Sequence, residues 1–136
     1  MERLEFIKLM GTGTLLACAG CGLVSCGSDS DPVPANLDLN LDLTLAENAA
    51  LQNVGGSLSR DGLIIARLST TSFTALGRAC THQGTPVNFR PNQGDFFCSA
   101  HGSIFSTTGS VVQGPATQPL RQYRAELSGN ILRVTT

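Results

Sequence analysis

Two short segments in the second half of the chain carry all of its histidines, and any fold must accommodate them. Residues 80–84 read CTHQG and residues 98–103 read CSAHGS, with fifteen residues between His82 and Cys98. Each segment offers one thiolate and one imidazole, which are ligands for transition metals. A turn signal at 91–94, PNQG, lies between them and predicts a hairpin. Such a hairpin would place the two segments side by side.

Short apolar segments separated by turns predict an all-β fold. Residues 37–45 alternate leucine with polar residues, which is typical of a strand with one buried face, and a helical turn at 44–50 is an alternative. Asp61-Gly62 lies between two further runs and favours a tight hairpin turn. The other predicted strands are residues 56–60, 63–68, 73–79, 87–90, 95–98, 120–127 and 131–134. The pattern predicts a small antiparallel β-sandwich or barrel.

Length and charge exclude several classes of protein. At 136 residues the chain can bury one small core, so a multidomain enzyme is excluded. Its formal net charge is −1 and its arginines are dispersed, so no basic patch for nucleic acid is expected. Outside the two Cys/His segments, no nucleophile paired with a base suggests catalysis by this chain alone.

The first 25 residues are predicted to be a lipoprotein-type signal peptide. An uncharged stretch from residue 9 to residue 28 follows Arg3 and Lys8, which is the layout of a secretory signal. The sequence LVSC ends at Cys26 and resembles a bacterial lipobox, whose cysteine becomes the lipid-modified first residue of the mature protein. An uncleaved membrane helix and simple cleavage are the alternatives. All three predict a domain outside the cytoplasm, and the lipid or the uncleaved helix would hold it at the periplasmic face of a bacterial membrane.

The predicted organisation is therefore a signal peptide at 1–25, a flexible tether at 26–36 and a folded domain at 37–136. Three of the five cysteines lie before the folded domain, so only Cys80 and Cys98 remain in it. In an oxidising compartment, a disulfide between these two is one interpretation. A tetrahedral zinc site with His82 and His101 is another. Either would make the chain a structural lipoprotein without a redox role.

In residue type, order and spacing, the two segments resemble the ligand motifs of the Rieske iron–sulfur family. Glycines and a serine of that family have counterparts at Gly84, Gly102 and Ser103, and GPA at 114–116 resembles its proline-containing covering loop. The resemblance covers roughly residues 73–127. It implies a Rieske-type [2Fe–2S] cluster in a small antiparallel β domain with a cluster-binding subdomain, preceded here by a signal or anchor segment.

The resemblance also implies a role for each residue of the motif. By that resemblance Cys80 and Cys98 bind the buried iron, while His82 and His101 bind the outer iron near the surface. Two imidazoles in place of two thiolates make such a site less negative and so favour reduction. The residues expected around the cluster are Gly84, Gly102, Ser103 and Pro115, and the bare glycines are expected to let backbone N–H groups approach its sulfurs.

The sequence departs from parts of the family's pattern. Thr85 and Ala100 stand where members of cytochrome bc complexes carry a bracing disulfide, so bracing must come from packing and the covering loop. Phe105 stands where high-potential relatives have a tyrosine that donates to the cluster, which implies a middling reduction potential. Gln83 replaces the leucine common at the quinol-docking tip of the bc type.

The expected function is one-electron transfer by a carrier tethered to the membrane through a lipid or an N-terminal anchor. Its redox partner would be a cytochrome, a copper protein, an oxidoreductase subunit or a quinol. A small electron-transfer subunit fixed to a periplasmic oxidoreductase or quinol:acceptor complex is the alternative.

Overall fold

The computed structural model describes residues 33–136, so the predicted signal peptide and most of the tether lie outside the described residues. It confirms an all-β, antiparallel fold. The strands are β1 (Asp38–Asp42), β2 (Ser57–Arg60), β3 (Leu63–Arg67), β4 (Phe73–Gly77), β5 (Asn88–Arg90), β6 (Asp95–Phe97), β7 (Ile104–Phe105), β8 (Val111–Gln113), β9 (Gln122–Ser128) and β10 (Ile131–Thr135). Within this range, no helix has the length and apolar character needed to cross a bilayer.

Six strands form the larger sheet, in the order β1-β10-β9-β4-β3-β2. The leucine stripe of β1 faces its core as predicted, and Leu41 is fully buried opposite Leu132 of β10. The Asp61-Gly62 turn that joins β2 to β3 has positive φ at both positions, 51° and 77°. That backbone matches the twist of two antiparallel strands, which explains why this pair predicted the hairpin correctly.

The smaller sheet, in the order β5-β6-β7-β8, carries the two Cys/His segments. Its core is separate from that of the larger sheet and contains Cys80 and Cys98 together with Phe96 and Phe105. β3 lies between the two cores, because successive side chains of a strand point to opposite faces. Leu63 and Ile65 pack in the larger core, whereas Ile64 and Ala66 pack in the smaller one. This double burial holds the two sheets together.

Four elements differ from the predicted set of strands. The first strand ends at Asp42 and not at residue 45, because its carboxylate accepts hydrogen bonds from the amide and the hydroxyl of Thr44 at 2.9 and 2.6 Å and turns the chain. The alternative helical turn is present as a 3₁₀ helix, Ala46–Gln52, with Leu51 buried. The strands β7 and β8 were not predicted, since two and three residues are too few to show alternation.

The turn between β7 and β8 is fixed against the segment that follows β8. Gly109 has φ of +90°, and its carbonyl accepts a hydrogen bond from the amide of Leu120 at 2.8 Å. A Cβ at position 109 would lie 2.5 Å from the Leu120 carbonyl oxygen. Gly109 is therefore required both for its backbone conformation and for the close approach of the turn to the segment at Leu120.

We expect Gly109→Ala to destabilise the folded protein by about 3 kcal/mol, because it combines a positive φ with a backbone clash. Gly129→Ala is the matched control, since Gly129 also has positive φ but open space around its Cβ position. The control should lose only about 1 kcal/mol. Denaturant unfolding of both variants under identical conditions measures the difference. Equal losses would show that the contact with Leu120 contributes nothing.

Candidate metal centre

The two Cys/His segments form loops with the same backbone hydrogen bonds. In each loop the cysteine amide donates to the carbonyl five residues later, and the glycine amide donates back to the cysteine carbonyl. The four bonds are Cys80 to Thr85 at 2.8 Å, Gly84 to Cys80 at 2.7 Å, Cys98 to Ser103 at 2.8 Å and Gly102 to Cys98 at 2.8 Å. A bridge between Ala79 and Pro86 also closes the base of the first loop. Both loops are therefore held as closed six-residue units.

The glycines of these loops are required for their backbone conformation. Gly84 has φ of +75° and Gly102 has φ of +81°, a region that other residues rarely adopt. A Cβ at either position would contact no protein atom within 4 Å. Their amides donate to the cysteine carbonyls and so close the loops, while the open space at each Cβ position leaves room for other backbone N–H groups to approach a cluster.

The cysteines and histidines lie at different depths. Cys80 is 3% exposed and Cys98 is fully buried, and both are free thiols. His82 and His101 are exposed, with ring centroids 4.8 Å apart and planes at 79°. The hairpin β5–β6 connects the two loops as predicted, with Phe89 opposite Phe96. The structure thus pairs two buried sulfurs beneath two adjacent surface imidazoles.

This arrangement differs from both structural alternatives. The two thiols are not joined, which is contrary to a disulfide. In residues 33–136 no three His, Cys, Asp or Glu side chains converge on one ion, whereas tetrahedral zinc needs four donors around a single point. Sulfur donors at one depth and nitrogen donors at another suit a binuclear iron–sulfur centre with two kinds of iron.

A covering segment, residues 113–119, is fastened to both loops by side-chain hydrogen bonds. The Thr81 hydroxyl donates to the Gln118 carbonyl at 2.6 Å, which ties the first loop to this segment. The Gln113 side-chain amide donates to the Gly102 carbonyl at 3.0 Å, which ties the second. The sequence did not point to Thr81 or Gln113, because a bond to a backbone carbonyl leaves no pattern in the residue types. Pro115 is exposed in the same segment.

Ser103 joins the second loop to the covering segment from inside. It is fully buried, and its hydroxyl accepts a hydrogen bond from the amide of Ala116 at 3.0 Å. Within residues 33–136 that hydroxyl accepts this bond and donates none. Its hydrogen is therefore available to an acceptor at the centre. Phe105, two residues on, is also fully buried and fills the smaller core.

This chain is similar to known proteins along most of its length. Residues 43–124 match the family model of the Rieske [2Fe-2S] domain. The chain is 30% identical over 151 aligned positions to the cytochrome b6-f complex iron-sulfur subunit of Trichodesmium erythraeum, covering 99% of this chain and 84% of that protein. It is 34% identical to the corresponding subunit of Chlorobaculum thiosulfatiphilum over 64 residues, which are 47% of this chain and 35% of that one.

A solved structure is also similar. The crystal structure of the cyanobacterial plasma membrane Rieske protein of Synechocystis PCC 6803 aligns with a TM-score of 0.54 and 29% identity, covering 65% of this chain and 92% of that one. The family model spans more than half of this chain, and the relative from Trichodesmium aligns over nearly all of it. This chain belongs to the Rieske [2Fe–2S] domain family, and its cofactor is a Rieske-type [2Fe–2S] cluster.

Proposed function

We propose that this chain is a one-electron carrier whose cluster is bound by Cys80 and Cys98 on the inner iron and by His82 and His101 on the outer iron. The observation that carries the proposal is the depth of these side chains, with buried thiols below two exposed and adjacent imidazoles. When bound, the cluster supplies reversible one-electron chemistry at iron.

The protein's own residues then have distinct tasks. The smaller core surrounds the thiolates with apolar side chains and excludes water from them, and Phe96 and Phe105 are its largest fully buried members. The imidazoles of His82 and His101 face solvent and form the surface through which electrons enter and leave. The hydrogen-bonded loops hold all four ligands in place, so little rearrangement accompanies a change of redox state.

The relatives supply the biological setting of the proposal. Several of them are iron-sulfur subunits of cytochrome b6-f complexes. We infer that this chain works at a membrane, exchanging electrons between a quinol or an oxidoreductase and a cytochrome or copper protein. The folded domain at 37–136 would be held at the periplasmic face by a lipid on Cys26, through a tether at 26–36 after removal of residues 1–25.

A subunit fixed in a membrane complex is the second candidate, and the names of the relatives favour it. Size-exclusion of detergent-solubilised native membranes separates the two. A carrier elutes as a small species, whereas a subunit elutes with its complex.

We expect His82→Ala and His101→Ala each to abolish the visible absorption of the protein and the electron paramagnetic resonance signal of its reduced form. The reason is that loss of an imidazole leaves the outer iron without a ligand. Gln83→Ala, which changes an exposed neighbour, is the control and should keep both signals. Circular dichroism verifies that each variant is folded. An unchanged signal in either histidine variant would contradict the ligand assignment.

We expect a reduction potential within the family's span of about −150 to +300 mV, and a lower potential for Ser103→Ala. The variant removes the buried hydroxyl, which we propose as a donor to a cluster sulfur that favours the reduced state. Ser106→Ala is the control, because the Ser106 hydroxyl bonds within the neighbouring turn. Protein-film voltammetry measures all three proteins. A potential unaffected by Ser103→Ala would exclude this donor.

We expect Cys26→Ser to prevent lipid attachment to the full chain. Labelling with radioactive palmitate detects the lipid, and Cys21→Ser in the same leader is the matched control that should stay labelled. Absence of label in the unsubstituted chain, together with retention in the membrane fraction, would instead support an uncleaved anchor.

A further inference from the structure

The distribution of charge around the histidines is uneven. Residues 79–89 and 96–120 contain no Asp, Glu, Lys or Arg, although they make up more than a third of the folded domain. These segments supply both ligand loops and the covering segment. The exposed side chains of residues 79–86, 98–102 and 113–119, which include His82 and His101, are here named the uncharged face.

Among the charged residues that flank these segments, one pair is neutralised and two arginines lie beside strands of the larger sheet. Arg90 and Asp95 form a two-point ion pair, with both N–O distances 2.7 Å, at the turn end of the β5–β6 hairpin and away from Cys98. The guanidinium of Arg121 lies over the ring of Tyr123 in β9, 5.1 Å from its centroid, and is therefore directed toward the larger sheet. Arg78 is half-buried at the end of β4, and its Nε is shielded from solvent.

The uncharged face is nevertheless polar. Exposed hydrogen-bonding side chains surround the histidines, among them Gln83, Ser99 and Gln118, with small apolar patches at Ala100 and Pro115. Of the large apolar side chains that are exposed in the described residues, only Val112 is near these segments in sequence. A surface that anchors in lipid needs bulky apolar side chains or clustered basic ones, and this face has neither.

We propose that the uncharged face docks a redox protein through an equally uncharged surface, by desolvation and hydrogen bonds and without electrostatic steering. This rests on the carrier function proposed above. A charged group on the partner would lose its hydration against this face and gain no counter-ion, which is costly. Association is then expected near the rate of unsteered protein pairs, about 10⁵–10⁶ M⁻¹ s⁻¹, and independent of salt.

The test follows the oxidation of the reduced, cluster-loaded full chain by detergent-solubilised native membranes in a stopped-flow spectrometer. Ionic strength is varied from about 10 mM to about 1 M, which shortens the screening length from about 30 to about 3 Å. The rate constant should change by less than about twofold, whereas a steered pair would slow by about 10- to 1,000-fold. A steep dependence on salt would overturn the proposal.

Two variants that exchange glutamine for the isosteric glutamate test whether the partner docks at the uncharged face. Gln83→Glu places a charge on the uncharged face, and Gln93→Glu places the same charge in the exposed β5–β6 turn at the other end of the smaller sheet. We expect Gln83→Glu to slow the reaction about tenfold or more at both extremes of salt, because the cost is desolvation, and Gln93→Glu to have no effect. A loss that high salt restores, or equal rates for the two variants, would contradict the proposal.

Further readouts separate the possible failures. The resonance signal of every variant verifies that the cluster is present, and Gln118→Glu in the covering segment replaces Gln83→Glu if that variant does not load. A chain that keeps its signal but is not oxidised by the membranes would contradict the carrier function itself. A dimer in sedimentation velocity that Gln83→Glu dissociates would assign the face to a second copy. Weaker binding of Gln83→Glu to phosphatidylcholine vesicles would assign it to lipid.

Discussion

The site depends on the burial of two cysteine thiols in a core that the protein would need in any case. Cys80 and Cys98 pack with Val87, Phe96 and Phe105 beneath the smaller sheet, and thiols tolerate such an apolar setting well. The ligand loops leave this core and return to it within six residues, so the cysteines lie inside while the histidines reach the surface. The packing of the smaller core therefore determines that the sulfur ligands are buried and the nitrogen ligands are exposed.

Hydrogen bonds brace the loops where a disulfide is absent. Thr81 and Gln113 each bind a backbone carbonyl across the gap between a loop and the covering segment, and Ser103 accepts an amide from inside. Each such bond is worth about 1 kcal/mol, less than a disulfide, but together they engage both loops. The covering segment therefore helps to position the ligands. The hydrogen bond from Leu120 to the Gly109 carbonyl fixes the end of this segment against the smaller sheet.

The sequence predicted those features that local chemistry determines. The alternation of 37–45 and the Asp61-Gly62 pair led correctly to buried strand faces and a tight turn, and the spacing of the Cys/His segments led to the family. The strands β7 and β8 escaped prediction because pairing with neighbours defines them, and Ile104 and Phe105 alone show no period. The bonds from the amides of Gly84 and Gly102 to the cysteine carbonyls were not predicted for a related reason, because only the folded loops reveal them.

The separation of charge from the site bears on the redox chemistry as well as on recognition. Most ion pairs of the described residues, such as Arg133 with Asp38, lie on the larger sheet, while the segments 79–89 and 96–120, which carry the ligands, contain no charged side chain. Without carboxylates or ammonium groups nearby, the potential of a cluster is governed by its ligands, by hydrogen bonds and by exposure to solvent. Docking would also remove water from the exposed histidines, so the potential in the complex is expected to differ from that of the free carrier. Ser103 is fully buried, so the potential can be tuned there without a change to the surface that docks.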